Sequence, residues 1–134
     1  MRLTTPVLRD WIKPQVSTIT GLSRVYVTEG RVTDMPDRQI SLMRVGAIRV
    51  LYEGAFEEVN FRFEYRGKSN SLEDAENIAI SMDSFLWGRN NFEIDDVWVT
   101  SISYGSGLRQ LPSSDNNSRY SFTADYKFLA SREG

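Results

Sequence analysis

Gly67-Lys68-Ser69 follows an alternating apolar segment and precedes a helical one, the setting of a phosphate-binding loop. That loop needs a glycine five positions earlier, so that the backbone can wrap phosphates. Arg62 stands there, inside a strand, and the triplet reads as a solvated turn. Glu57-Glu58 and Asp95-Asp96 are adjacent carboxylates. Neighbouring residues of a strand point to opposite faces, so neither pair converges on a metal or a glycosidic bond. Both read as solvated strand ends. Asn116-Asn117-Ser118 fits a glycosylation acceptor and reads here as a polar loop. The chain contains no His and no Cys, which excludes Ser-His and Cys-His catalysis and His/Cys metal sites. No acid–base pair or nucleophile can be assembled, so no enzyme, metal or cofactor is expected.

The 134 residues suit one domain, 1–134, that buries about two-thirds of its unfolded surface. Net charge is −2, which does not suit a bulk nucleic-acid binder. Residues 1–67 carry 10 basic and 8 acidic side chains, or +2; residues 68–134 carry 6 and 10, or −4. No run of 18 apolar residues exists, and Met1 to Lys13 is too short and polar for a signal peptide. The expectation is a soluble protein without a membrane partner.

One block organises the chain. Val59, Phe61, Phe63 and Tyr65 alternate with polar residues, as in a strand with one apolar face. From Leu72 the period becomes helical, and Leu72, Ala75, Ile78, Ala79, Met82, Phe85 and Leu86 form one stripe. Ser71 suits the N-cap, Asp74 the first turn and Gly88 the left-handed stop. Before this block come a short helix from Thr5-Pro6 that Pro14 ends, and strands over 24–28, 39–45 and 48–52. After it come a turn at Arg89-Asn90-Asn91 and a strand over 97–104 with Trp98, Ile102 and Tyr104 on one side. A long loop over 105–117 and a last strand over 119–129 follow, then a frayed tail over 130–134. Residues 1–22 form the N-terminal helix and connector. The expected class is α+β. A mostly antiparallel, mixed β-sheet of about five to six strands has one long α-helix packed on one face and a short N-terminal helix.

Ile80 and Trp87 lie seven apart on the helix, about 140–160° from the centre of its core stripe. Glu73, Glu76, Asn77, Asp83 and Ser84 surround them. An exposed Trp and Ile on an acidic face mark a contact surface. The alternative is that Leu8 and Trp11 of the first helix cover them. Tyr26, Met43 and Leu51 are candidates for a second sticky surface on the uncovered side of the sheet. Met35, Pro36 and Asp37 in one long loop, and Leu108, Leu111, Pro112 and Asp115 in the other, are candidate partner contacts. A single-strand nucleic-acid module stacking bases on Phe61, Phe63, Tyr120 and Phe122 is a further class.

Over about residues 24 to 129 the chain resembles the small tail-terminator or minor-capsid proteins of tailed bacteriophages. The resemblance rests on Val25-Tyr26, on Met35-Pro36-Asp37 with Ile40 and Leu42, and on the Arg66-Gly67-Lys68-Ser69 turn with Ala75 and Ile78. Pro112, Asp115, Arg119, Phe122 and Tyr126 complete it. Two departures stand out: Pro14 interrupts what is usually a longer first helix, and Asp125 occupies a position where Asn is expected. The resemblance implies a structural virion protein, assembled in the host cytoplasm and located at the head–tail interface. Such proteins form a ring, expected to be a hexamer, that caps the tail tube and meets the head-completion or neck proteins. DNA passes through the lumen without specific binding. Another head–tail connector or head-completion protein is the nearest alternative.

Overall fold

A computed structural model of the chain describes residues 2–19, 22, 24–30, 38–51, 55–68, 70–112 and 120–131. Two helices and six strands run in the order α1 (Thr5–Thr18), β1 (Tyr26–Glu29), β2 (Gln39–Leu51), β3 (Phe56–Arg66), α2 (Leu72–Leu86), β4 (Asn90–Ile94), β5 (Val97–Gln110) and β6 (Ser121–Ser131). The strands form one sheet in the order β1-β2-β3-β6-β5-β4, antiparallel except for the β1–β2 pair.

The expected picture of one long helix lying on a sheet is overturned. The helices are nearly equal, 14 and 15 residues. Strand takes up 53% of the described residues, in a six-stranded sheet curled into a half-barrel. Both helices sit inside the curl. α1 touches β1 at one edge of the sheet and β4 at the other, while α2 packs on β3, β6 and β5. A sheet can meet one helix with both its edges only by bending around it.

α1 is not ended by Pro14, which lies inside it. A proline in a helix interior costs about 3 kcal/mol through its missing N–H and its clash with the preceding turn. Leu8, Ile12 and Val16 continue one buried stripe through the break, and their burial, roughly 1.5–3 kcal/mol each, offsets that cost. Thr4 caps the start, its Oγ1 accepting from the Val7 amide at 3.4 Å.

α2 begins and ends as its sequence indicates. Ser71 Oγ accepts from the Asp74 amide at 3.1 Å, and Gly88 takes φ +80°. Its buried stripe is Ala75, Ile78, Ala79, Met82 and Leu86; Leu72, at the first turn, is exposed instead. Under it, the β3–β6 register sets Val59 against Phe128, Phe61 against Tyr126, Phe63 against Ala124 and Tyr65 against Phe122.

The strand boundaries differ from expectation in several places. The last strand runs to Ser131, so Ala130, expected in a frayed tail, is buried within it. The two strands expected over 39–45 and 48–52 are one, β2, which passes Gly46 at φ +72° with a register shift between Val45 and Arg49. The expected turn at Arg89-Asn90-Asn91 begins strand β4 instead, and Asp95-Asp96 forms the turn into β5. The expected loop over 105–117 is strand as far as Gln110, because pairing with β6 outweighs the weak strand preference of Gly105-Ser106-Gly107. Within β5, a register shift between Val99 and Ser101 changes which side chains face inward. Val97, Val99 and Ile102 are buried, and Trp98 is turned out, away from Ile102.

Gly67 has a packing duty rather than a phosphate-binding one. A Cβ there would stand 2.4 Å from the Ala75 nitrogen and 2.8 Å from its Cα. The turn is therefore pressed against the first turn of α2, where Asp74 Oδ2 accepts from the Lys68 amide at 2.9 Å. We expect Gly67→Ala to destabilise the fold by about 1–3 kcal/mol through overpacking against backbone. Urea unfolding checks this: the midpoint should fall at constant slope, and an unchanged midpoint would mean that this contact is slack.

Candidate functional site

The C-terminal half of α2 and the middle of β5 build one exposed patch. Ile80, Asp83 and Trp87 fall on one side of the helix, three and four residues apart. Trp87 is 55% exposed and Ile80 49%. The first helix does not cover them: Trp11 packs on Phe85 and Phe92, at ring-centroid distances of 5.6 and 5.3 Å. Arg89 lies over the Phe85 ring at 4.1 Å and closes that cluster on the other flank. Trp87 stacks on Tyr104 instead, with centroids 5.6 Å apart.

Behind the patch runs a chain of three phenols and one carboxylate. Tyr104 donates its hydroxyl to Asp83 Oδ2 at 2.5 Å, and Tyr126 donates to Asp83 Oδ1 at 2.6 Å. The hydroxyls of Tyr65 and Tyr126 lie 2.9 Å apart. A phenol has one proton, and that of Tyr126 goes to Asp83, so Tyr65 is the donor in this last bond. Burial raises the Tyr65 pKa well above the ordinary tyrosine value. Burial also raises that of Tyr126, helped by neighbouring Tyr65 and by the bond to Asp83. Tyr104 is pushed up to about 12 by desolvation and then by its bond to Asp83. All three hydroxyls thus stay protonated donors. The network fixes α2 on β6 and β5, and holds Tyr104 where Trp87 can lie on it.

On the other flank, β1 pairs only with Gln39–Leu42, which leaves the rest of β2 without a neighbour on that side among the described residues. A groove of about 460 Å³ opens there, between the start of α1 (Arg2 to Pro6) and the β2 residues Arg44 and Ile48. Arg44 and Arg49 are exposed and have no carboxylate partner among the described residues. Arg2, by contrast, pairs with Glu57 at 3.1 Å.

The residues expected from sequence to form the second surface are strung along this flank. Tyr26 and Met43 are 49% and 44% exposed on the face opposite the helices, and Leu51 is half-buried near the far end of β2. They lie far apart along the strands and do not converge. Val50, 49% exposed, was not singled out. Leu108 is half-buried and packed against the core, while Leu111 and Pro112 directly follow β5. Met35, Pro36, Asp37 and Asp115 lie outside the described residues. Phe61, Phe63 and Phe122, considered as base-stacking platforms, are buried. Sequence reasoning placed Asp83 among solvated neighbours of Ile80 and did not connect it to Tyr104 or Tyr126. The available signal was that each phenol sits on the apolar face of its strand and so needs a buried or half-buried acceptor.

No protein-family model matches the chain, and no curated protein matches it by sequence.

Two outcomes follow from the phenol network. Tyr126→Phe should cost about 1–3 kcal/mol, because it leaves the buried Tyr65 hydroxyl without its acceptor; equal stability to the parent chain would refute the network. The native state holds these phenols protonated at pH values where the unfolded chain ionises them. Stability is therefore full below the ordinary tyrosine value of 10.0 and declines as pH rises toward about 12. Ultraviolet titration should show delayed ionisation that ends in unfolding. Six tyrosines titrating together near the ordinary value would contradict it.

Proposed function

We propose that the chain is a structural protein of a tailed-phage virion, a tail terminator whose copies close into a ring on the head-proximal end of the tail tube. The resemblance over residues 24 to 129 supports the phage assignment. One structural observation carries the assembly: two unlike surfaces lie on opposite flanks of the β3–β6 pair. One is aromatic with acidic neighbours, Ile80, Trp87 and Tyr104 beside Glu76 and Asp83. The other is a groove bordered by the cation Arg44, which has no carboxylate partner among the described residues. A ring needs this kind of asymmetry, because each copy must offer one surface to the copy ahead and a different one to the copy behind. In this reading the tube protein meets one rim, a head-completion protein meets the other, and DNA traverses the lumen without being gripped. An adaptor or head-completion protein of the same neck would use a ring built on the same principle.

Sedimentation of the purified chain should give a closed oligomer, with a hexamer as the expected size. Trp87→Ala should shift it toward smaller species while leaving the circular dichroism of the fold in place. A strictly monomeric parent chain at all attainable concentrations would refute self-assembly. Electron microscopy of particles assembled without the protein separates the two neck roles: overlong tails support a terminator, whereas normal tails beside unjoined heads support the adaptor instead.

A further inference from the structure

We infer that the two flanks are mates: the Ile80–Trp87 patch of one copy seats in the Arg44–Ile48 groove of the next. The inference rests on the ring reading and goes further by naming the contact. Three features of the molecule carry it. The first is charge. Glu73 and Glu76 are exposed on the same side of α2 as Ile80, and neither has a cationic partner among the described residues. Arg44, at the groove, is likewise without a carboxylate partner among the described residues. Bringing acid to base steers the encounter and fixes its register, while acid on acid or base on base would repel.

The second feature is shape and chemistry. The patch is exposed and aromatic, with Trp87 stacked on Tyr104 and Tyr104 fixed by its bond to Asp83. The groove is concave, with Leu3, Pro6 and Ile48 as apolar lining and arginines at its margin. Its volume of about 460 Å³ lies in the range of sites that enclose a small ring system. A Trp in a partly apolar pocket beside an Arg is a common centre of a strong interface.

The third feature is rigidity. Asp83 accepts from two phenols, one of them bonded to a third, so the patch is ordered before it meets a partner. Little side-chain freedom is lost on docking. The unpaired outer part of β2 is less suited to direct strand-to-strand pairing, because the register shift between Val45 and Arg49 interrupts its ladder. The contact is therefore made by side chains.

The natural chain has no Cys, so single engineered thiols report contacts without background. Ile48→Cys and Ile80→Cys are made as separate variants, mixed in equal amounts and mildly oxidised. Disulfide-linked dimers should form in the mixture and not in either variant alone. The chain carrying both substitutions should give a ladder that ends at the ring size. A charge exchange provides the second arm: Arg44→Glu or Glu76→Arg alone should weaken self-association by roughly tenfold or more, and the two together should restore it. Ile80→Cys linking to itself would mean a two-fold symmetric contact and would overturn the inference. So would an oligomer that persists unchanged in both charge variants with no disulfide in the mixture, although the ring reading would survive. A monomeric parent chain would remove the ring reading itself, and this contact with it.

Discussion

The antiparallel register between β3 and β6 is the constraint on which the rest depends. Eleven residue pairs run without a shift from Phe56–Ser131 to Arg66–Ser121. The uninterrupted ladder sends Phe61, Phe63, Tyr65, Tyr126 and Phe128 to one face, and α2 closes on that face with Ala75, Ile78, Ala79, Met82 and Leu86. The rings lock further by edge contacts, Phe61 on Phe128 and Phe63 on Tyr126, with planes 88° and 89° apart. A one-residue slip would turn all of these outward and bring the opposite face, with Arg62 and Asp125, into the core. Those two are held at that face by a two-bond pair of 2.8 and 3.2 Å, which raises the Arg62 pKa through its bond to Asp125. The carboxylate at position 125 thus has a local reason: it pairs with Arg62, and an amide there would give up the charge.

From that ladder the irregular parts of the sheet take their shape. β2 and β5 flank the central pair, and both lose register where β3 and β6 do not. Shifts of this kind bend a strand and strengthen its twist. They occur on both sides of the central pair, and the sheet curls far enough for α1 to reach β1 and β4 together. Curling leaves little inner surface exposed. It also displaces the short edge strands toward opposite ends: β1 pairs with the start of β2, and β4 with the start of β5. The outer half of β2 and the outer half of β5 are consequently the open parts of the two flanks.

What could be read from the sequence tracks how local the cause is. The limits of α2, its Ser71 cap, its Gly88 stop and most of its buried stripe depend on residues within a few positions of one another, and periodicity exposes them. The apolar faces of β3 and β6 are equally plain, because they alternate without interruption. The failures all have distant causes. Pro14 signals a helix end, and only the burial of Leu8, Ile12 and Val16 against the sheet carries α1 past it. Gly46 and the Gly105-Ser106-Gly107 segment look like breaks, and neighbouring strands recruit both. The shift after Val99 reverses the facing of Trp98 and Ile102, and no alternation pattern can announce an extra residue. Of the candidate site, the exposure of Ile80 and Trp87 was legible from the helical wheel. The partnership of Asp83 with Tyr104 and Tyr126 was not, since it joins residues 21 and 43 positions apart.

A small protein that keeps an indole more than half exposed pays no penalty if another surface covers it, and what covers it is constrained by symmetry. Were two copies to meet patch to patch about a two-fold axis, Glu73, Glu76 and Asp83 of each would face their own counterparts, and the carboxylates would oppose the apolar gain. Were they to meet groove to groove, Arg44 of each would face its counterpart. Only the crossed arrangement joins unlike charges and puts the exposed indole against the groove lining. A crossed contact repeats from copy to copy, and it ends either in a closed ring or in an open filament according to the fixed angle between the two surfaces. That angle is set by the two strands between the flanks, β3 and β6, and by the helix bonded across them. The same ladder that orders the core therefore sets the geometry of any assembly the chain can build.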